Sequence, residues 1–375
     1  MSIEEIRELF PYLNLGKIYL NHAALSPLPQ PVIDHANLFL TRRSQTSIDD
    51  MNQWAADTHE AKAKLGILLN AQPERFAFFE ATATALNILA QGITWQPGDR
   101  ILIDHVELPS DIMPLLNLRH YGVEIDFLPS TKTVSSTNNI IAAITPKTKL
   151  VHLNAVHYLN GYRTNLKTIG EYTSQNGIIF SVDASQAVGA LQIDLEDSKI
   201  DFLSCGTQKW LFGLMGLAFI YITPELQRNI TLKFNHWSTF GMHSSLLDYN
   251  LDHNNSADSL QNGTINIIGV NALIGALNML LTYGPSKIEN RIIEHTIYTI
   301  EQFHQIGIKP VCGKYKITNL SGIISFKSPK SKLIYKRLTE EKISTSLREG
   351  YVRLSHHFYN TTGELDQAIA IIKSC

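Results

Sequence analysis

The stretch SCGTQKWLFG, residues 204–213, ends an apolar strand and places a single lysine just beyond it. Lys209 lies between Gln208 and Trp210, among small and apolar residues, with no acid beside it in the sequence. A charged amine is costly to bury, so partial burial would favour the neutral, nucleophilic form of this lysine. On this stretch alone, the alternative is an ordinary surface lysine at the end of a strand.

Strand-like and helix-like segments alternate on both sides of this stretch. Strands are predicted at residues 76–80, 101–104, 124–128, 148–154, 178–182 and 200–203. Strands joined by crossover connections predict an α/β fold, with a mainly parallel sheet and helices on both faces. Ligands of such sheets bind at the carboxyl ends of the strands. We therefore expect the functional residues at strand ends, as Lys209 is.

Two more strand ends carry candidate residues. Asp183 follows an apolar strand and opens the run DASQAVG, either as a ligand-binding acid or as the N-cap of the next helix. Thr82 and Ala83 stand where another strand gives way to helical spacing. A helix N-terminus has unpaired N–H groups and a positive dipole end, so these two residues can hold a phosphate. Ordinary N-capping by Thr82 explains the same residues.

The composition restricts the classes of function. The 375-residue chain is 44% hydrophobic with a formal net charge of −2, which favours a large core and no nucleic acid or anionic membrane as partner. Three scattered cysteines predict neither a disulfide framework nor a zinc site, and no other metal site is predicted. The charged, amphipathic start does not resemble a signal peptide, and no apolar run of about 18 residues predicts a membrane span. We expect a cytoplasmic protein with a small-molecule ligand.

The pattern divides the chain into three parts. Residues 17–282 are predicted to form a large α/β domain, and residues 283–375 a smaller α+β domain. Residues 1–16 are predicted to be an N-terminal segment that packs with the smaller domain. A polar, weakly patterned stretch runs from about 235 to 266, and residues 252–256 within it are expected to form an exposed or ordering-prone loop. An apolar helix is predicted to begin near Val270.

Taken in order, these motifs resemble the class V aminotransferase family of pyridoxal 5'-phosphate (PLP) enzymes. The resemblance covers nearly the whole chain and is closest to the isopenicillin-N-epimerase-like and cysteine/selenocysteine-lyase-like branch. The segments that carry it are NHAA (21–24), ELPS (107–110), YLNGYR (158–163), DASQAVG (183–189), KWL (209–211), VRLS (352–355) and FYN (358–360). It implies the aspartate aminotransferase-like architecture of PLP fold type I and a homodimer with shared active sites.

The resemblance also implies a residue for each requirement of the cofactor. Lys209 would form the Schiff base and later move the substrate α-proton. Asp183 would keep the ring nitrogen protonated, and Gln186 would bond the phenolic oxygen. The phosphate would be held by Thr82, Ala83 and Thr207, together with Thr264 of the partner subunit.

The substrate side is implied in the same way. Arg353 would bind the substrate carboxylate in a bidentate manner, for which lysine is less suited. Asn21 and His22, from the segment of small residues at 21–29, would face the substrate; a plain turn is the alternative for that segment. Tyr158 would either hydrogen-bond the cofactor or fill the core.

Three positions depart from the family pattern. Leu108 replaces the aromatic or imidazole ring that commonly stacks on the cofactor, which loses about 0.5–1.5 kcal/mol of aromatic contact. Gln208 stands in place of a histidine, and Gly206 in place of a serine. These departures favour, as one alternative, a PLP-binding protein without turnover. A nicotinamide dehydrogenase is not supported, because no Gly-x-Gly-x-x-Gly follows the first strand.

The reaction is set by the pocket rather than by PLP. We expect transamination or β-elimination, including C–S cleavage, of a small α-amino acid, with cysteine desulfuration and epimerisation as alternatives. Desulfurases of this fold carry a nucleophilic cysteine in a loop before the carboxylate-binding arginine. Residues 327–353 contain no cysteine, which argues against a persulfide-forming desulfurase.

Overall fold

A computed structural model describes residues 2–104, 108–128, 136–234 and 255–375. The strands in these ranges are β1 (Ile18–Tyr19), β2 (Phe76–Phe79), β3 (Arg100–Ile103), β4 (Glu124–Phe127), β5 (Thr148–Asn154), β6 (Ile179–Asp183), β7 (Phe202–Gly206), β8 (Ala218–Ile222), β9 (Ile323–Lys327), β10 (Ile343–Ser344), β11 (Ser346–Arg348) and β12 (Tyr351–Ser355). The helices are α1 (Ile3–Glu8), α2 (Gln30–Gln45), α3 (Met51–Leu69), α4 (Thr82–Gly92), α5 (Pro109–Leu116), α6 (Thr137–Ala143), α7 (Leu166–Gln175), α8 (Pro224–Arg228), α9 (Ile267–Tyr283), α10 (Pro285–Gln305), α11 (Ser331–Glu340) and α12 (Thr362–Ser374).

A seven-stranded sheet forms the centre of the molecule, in the order β2-β8-β7-β6-β5-β3-β4. Strands β3 to β7 run parallel to one another, which confirms the predicted mainly parallel sheet. β8 is antiparallel to both β7 and β2, so β2 points in the same direction as the parallel strands. The carboxyl ends of β2, β3, β5, β6 and β7 therefore lie at one edge of the sheet.

The sequence pattern did not identify β8. Its residues are apolar and all buried, and its antiparallel pairing with β7 needs only the loop that follows Lys209. An antiparallel neighbour requires no helical crossover, so the alternation of strands and helices gave no signal for it.

Helix α9 is the apolar helix that the sequence predicted near Val270. It is buried along most of its length and packs against α2 and α3. No single helix in the described ranges is long and apolar enough to cross a membrane; α9 and α10 pass that test only as a pair bent by 79°. Of the polar stretch at 235–266, residues 235–254 lie outside the described residues, and these include residues 252–254 of the predicted loop.

A smaller unit follows α9. Its antiparallel sheet, in the order β11-β12-β9, packs with α10, α11 and α12 around a separate apolar core. Arg7 of the N-terminal segment bonds to Glu364 of α12 at 2.8 Å. β1, which the predicted boundary at residue 17 placed in the large domain, pairs instead with β10 of the smaller unit.

The two units touch closely at Gly161, in the turn after β5. Gly161 has φ +73°, and a Cβ there would lie 2.2 Å from the carbonyl oxygen of Ile323 in β9. This backbone conformation is unfavourable for residues other than glycine, and the close approach leaves no room for a side chain. The turn therefore fixes where β9 and its neighbour β12 stand relative to the large sheet.

Replacing Gly161 with alanine should destabilise the protein through two separate effects. The left-handed backbone costs about 1–2 kcal/mol, and the clash with Ile323 adds about 1–3 kcal/mol. Gly177 is the matched control, since it has φ +66° but no atom within 4 Å of the added Cβ. Urea unfolding should show a clearly larger loss for Gly161→Ala than for Gly177→Ala. Equal losses would mean that the contact with β9 is not a constraint.

Candidate active site

A small cavity at the carboxyl edge of the sheet brings together most of the predicted site residues. It encloses about 30 Å³ and is lined by Thr82, Leu108, Ser110, Asp111, Asn154, Tyr158, Asp183, Ser185, Gln186 and Lys209. Two open clefts of about 1660 and 1460 Å³ lie elsewhere on the described chain. Their size does not make them the better candidates, because charged residues there, such as Lys167 and Asp197, form exposed ion pairs. Side-chain chemistry, not volume, identifies the small cavity as the site.

Asp183 is a buried carboxylate held by several donors. It ends β6, is 4% exposed, and accepts hydrogen bonds from Ser185 N at 2.9 Å and Ser185 Oγ at 3.2 Å. Ser204 of β7, its partner in register, also bonds to it. Burial raises the pKa of Asp183, while Lys209 and these hydrogen bonds oppose that rise. The arrangement stabilises an anion beside the lysine.

The loop that carries Lys209 is fixed by the residues on either side of it. The N–H of Gly206 donates to Ser185 Oγ at 3.0 Å, which joins the ends of β6 and β7. The indole N–H of the buried Trp210 donates to Gln186 Oε1 at 2.9 Å. Gln186 Nε2 in turn donates to the carbonyl of Ala23 at 2.9 Å. One amide proton of Gln186 remains for a ligand, as the predicted contact with the phenolic oxygen requires.

Thr207 occupies a different place from the one predicted. It is fully buried, does not line the cavity, and its hydroxyl lies 3.0 Å from the carbonyls of both Leu214 and Leu217. A hydroxyl has one proton, and both neighbours are acceptors. The hydroxyl therefore ties the loop after Lys209 to β8, in place of the predicted contact with phosphate.

The N-terminus of α4 faces the cavity without a side-chain cap. Its N-cap is Ala81, so Thr82 is the first helical residue and not the cap that the alternative interpretation required. Among the residues that the structure describes, no side chain accepts a hydrogen bond from the first-turn N–H groups, including that of Ala83. An anion is the natural partner for such a helix end.

Arg353 is a buried cation without a described carboxylate partner. It lies on β12 and is 2% exposed; its Nη1 donates to the Tyr158 carbonyl at 2.7 Å and its Nε to Ser346 Oγ at 3.1 Å. Burial lowers the pKa of Arg353 to about 10, so the guanidinium remains charged at neutral pH. A buried charge with only neutral partners is costly unless an anion joins it. This favours the predicted binding of a carboxylate.

Asn21 and His22 have different roles in the structure. Asn21 bridges to Ser355, and its Oδ1 is buried with no partner among the described residues, so it can still meet a ligand. His22 is fully buried, with Nδ1 2.9 Å from the Ser355 carbonyl and Nε2 2.9 Å from the Tyr359 hydroxyl. Both ring nitrogens are thus engaged by the protein, and His22 fixes the loop where a substrate contact was predicted.

The remaining predicted residues divide between two places. Leu108, the N-cap of α5, and Tyr158, whose ring stacks on His157 at 5.2 Å, both line the cavity. Tyr158 therefore faces the site and does not fill the core. Thr264 is exposed and does not line the cavity of its own chain.

Sequence reasoning missed several residues of the cavity. Asn154 ends β5 and stands in register with Asp183, so the strand-end rule could have found it. Asp111 lies one residue beyond the ELPS segment, in the first turn of α5. No pattern in the sequence indicated that α5 would turn this acid towards the lysine.

The residues present fit PLP. The uncapped start of α4 suits a phosphate, the buried Asp183 suits a pyridinium nitrogen, and Lys209 is an amine in the same cavity. A sheet of this kind with these groups at its edge defines a PLP-dependent enzyme of fold type I.

A family model described as "Aminotransferase class-V" matches residues 18–367, so the chain belongs to the class V aminotransferase family and PLP is its cofactor. An uncharacterized aminotransferase, YcbU of Bacillus subtilis, is 25% identical over 98% of this chain and 96% of that protein.

Solved structures agree with this fold. The apo cysteine desulfurase of Thermococcus onnurineus aligns with a TM-score of 0.90 at 22% identity, over 100% of this chain and 98% of that one. The cystine C–S lyase C-DES, in complex with its product cysteine persulfide, aligns with a TM-score of 0.88 at 18% identity, over 96% of this chain and 99% of that one.

The buried His22 should make stability depend on pH. Burial lowers its pKa to about 3, so in the folded state it stays neutral where the unfolded chain takes up a proton. Stability from this group is present above pH about 6.5 and is lost as the pH falls towards 3, by at most about 1.4 kcal/mol per pH unit. Urea unfolding at several pH values should show this decline.

The variant His22→Asn should show a shallower decline between pH 6.5 and 4 than the wild type. His59→Asn serves as the control, because His59 is exposed on α3. If His22→Asn and the wild type have the same slope, His22 is not the group that carries this pH dependence.

Proposed function

We propose that this protein is a PLP-dependent C–S lyase that cleaves a small sulfur-containing amino acid, such as cysteine or cystine, by β-elimination. The observation that supports it most is the tight hairpin before Arg353. Arg348 of β11 pairs with Tyr351 of β12, and only Glu349 and Gly350 connect them, with φ of +50° and +79°. Two left-handed residues form the shortest type of hairpin connection. The hairpin leaves no loop to bring a thiol to the substrate side of Arg353.

The three cysteines of the chain offer no substitute for such a thiol. Cys205 is fully buried in β7, and burial raises its pKa well above the ordinary value. Cys312 lies in the core of the smaller unit, where burial raises its pKa to about 12. Cys375 follows α12 at the end of the chain. A persulfide-forming desulfurase needs an accessible thiolate, and none of these residues lines the cavity.

The residues of the site suit removal of a proton from a bound α-amino acid. Bound PLP withdraws electrons from the substrate α-carbon, which makes its proton removable. Arg353 holds the carboxylate and so orients the α-carbon. The amine of Lys209 is the base within the cavity, and Asp183 keeps a negative charge beside it.

Transamination is the second candidate, because the relative from Bacillus subtilis is named as an aminotransferase over nearly the whole chain. Both reactions begin with removal of the same proton by Lys209. They differ in products, which makes the distinction experimental.

Product analysis separates the candidates. With cysteine, β-elimination gives pyruvate and ammonium without an added acceptor, whereas desulfuration gives alanine. Transamination gives 3-mercaptopyruvate and needs an oxo acid, and epimerisation gives the D-amino acid. We expect pyruvate from the wild type and from Cys375→Ser. Lys209→Ala should lose product formation and the PLP bond fixed by borohydride reduction, whereas the exposed-lysine control Lys373→Ala should keep both. Alanine as the main product would rule out the lyase, and spectral changes without product would favour a binding protein.

We also propose a cytoplasmic homodimer in which Thr264 of the partner subunit completes each site. The exposure of Thr264, away from its own cavity and just before α9, supports this arrangement. The free state of all three cysteines suits a reducing compartment. Fractionation of the source cells tests the location, and recovery with the membrane fraction would contradict it.

Mixed dimers test the placement of Thr264. Chains with Lys209→Ala and chains with Thr264→Val should each form poorly active dimers at limiting PLP. Exchange of subunits should restore roughly a quarter of the wild-type activity, because each mixed dimer contains one intact site. No recovery on mixing, with subunit exchange shown by mass spectrometry, would place Thr264 in its own chain's site or outside any site.

A further inference from the structure

Asp111 is a second buried acid that lines the cavity, in addition to Asp183, which the sequence predicted. It lies in the first turn of α5, is 5% exposed, and lines the same cavity as Asp183 and Lys209. The side chain interacts electrostatically with both of them. None of the contacts expected for PLP at this site involves Asp111.

The two acids differ in how well the protein stabilises their anions. Asp183 accepts hydrogen bonds from the backbone and hydroxyl of Ser185 and from Ser204. Among the described residues, Asp111 accepts one long hydrogen bond, from Ser110 Oγ at 3.3 Å. Hydrogen bonds to a carboxylate stabilise its charged form. A proton in this cavity therefore resides on Asp111 in preference to Asp183.

The charges around Asp111 lead to the same assignment. Asp183 faces it from β6, Lys209 from the loop after β7, and the Tyr158 phenol from the loop after β5, while α4 contributes only the uncharged Thr82. Burial raises the pKa of Asp111 well above its ordinary value; Asp183 raises it further and Lys209 opposes the rise. A proton that leaves Lys209 therefore passes to Asp111 rather than to Asp183.

Lys209 acts as a nucleophile only as the neutral amine. The amine must therefore lose a proton inside a buried cavity, and a group with raised proton affinity has to receive it.

We propose that Asp111 is the acid–base partner of Lys209: it accepts the ammonium proton when the amine becomes nucleophilic, and it returns the proton when the amine is released. An N–H bond of Lys209 Nζ breaks and an O–H bond forms on the Asp111 carboxyl; the electron pair stays on nitrogen, and both groups become neutral. The cavity of about 30 Å³ accommodates about one water, so transfer is direct or crosses one water. The inference rests on the role given to Lys209 in the proposed function.

The experiment measures how fast the full-length apo protein takes up PLP on Lys209 between pH 6 and 9. The probe is PLP itself, followed by absorbance and by peptide mass spectrometry after borohydride reduction. Asp111→Asn should slow uptake at least about 10-fold at pH 7.5, and uptake should recover only at higher pH, because water must then take the proton. A carboxylate that merely stabilised the ammonium would give the opposite sign, since its removal would free the amine. Uptake by Asp111→Asn that equals or exceeds the wild-type rate would overturn the proposal.

Two further variants serve as controls for the effect of Asp111→Asn. Asp111→Glu keeps a carboxyl and should recover part of the rate; a variant as slow as Asp111→Asn would also overturn the proposal. Asp57→Asn is the matched control, because Asp57 is a buried acid on α3 that bonds Gln53 and Asn271 outside the cavity. Its uptake rate should equal that of the wild type. Absence of PLP on Lys209 in the wild type would instead refute the proposed function, so the two failures are distinguishable.

Discussion

The burial of Asp183 at the end of β6 constrains everything around it. A carboxylate that is 4% exposed must be surrounded by donors or a cation, since an uncompensated buried charge is strongly destabilising. The parallel pairing of β6 with β7 places Ser204 beside it, and the turn after β6 supplies Ser185. Ser185 also receives the N–H of Gly206. The hydrogen bonds that stabilise the Asp183 carboxylate therefore also fix the loop that carries Lys209. The positions of both residues depend on the register between β6 and β7.

Two other groups around the cavity are left electrostatically incomplete by the fold. The N-terminus of α4 has no side-chain cap, and Arg353 is buried with only neutral partners among the described residues. Both require an anion, and they come from different units of the molecule. A phosphate at the α4 N-terminus and a carboxylate at Arg353 would each supply that negative charge. PLP carries a phosphate and an α-amino acid carries a carboxylate. The uncapped α4 N-terminus and the buried Arg353 are therefore consistent with this cofactor and the proposed substrate.

The sequence predicted the parts of the site that follow from a strand end. Asp183 ends β6, Thr82 and Lys209 stand three residues beyond β2 and β7, and the direction of the strands brings all three to one edge. It did not reveal that Thr207 and His22, whose hydroxyl and imidazole have suitable chemistry, are hydrogen-bonded to other parts of the chain. His22 bonds to Tyr359, which is 337 residues away, and no local pattern shows such a contact. The sequence pattern did not predict β8, because an antiparallel neighbouring strand needs no helical crossover. Asp111 was missed since its position depends on how α5 is seated over the sheet.

The hairpin before Arg353 and the acid on α5 concern the same chemical question. An enzyme that removes sulfur as a protein persulfide supplies a thiolate nucleophile, and the short turn at Glu349 and Gly350 provides no place for one. Carbon–sulfur cleavage without that thiol begins with loss of the α-proton, after which the sulfur leaves the β-carbon with the electron pair of the broken C–S bond. In the proposed reaction that α-proton passes to the amine of Lys209. The carboxyl of Asp111, which accepts few hydrogen bonds, gives that proton another site. The absence of a thiol near Arg353 and the presence of Asp111 therefore both favour the proposed β-elimination.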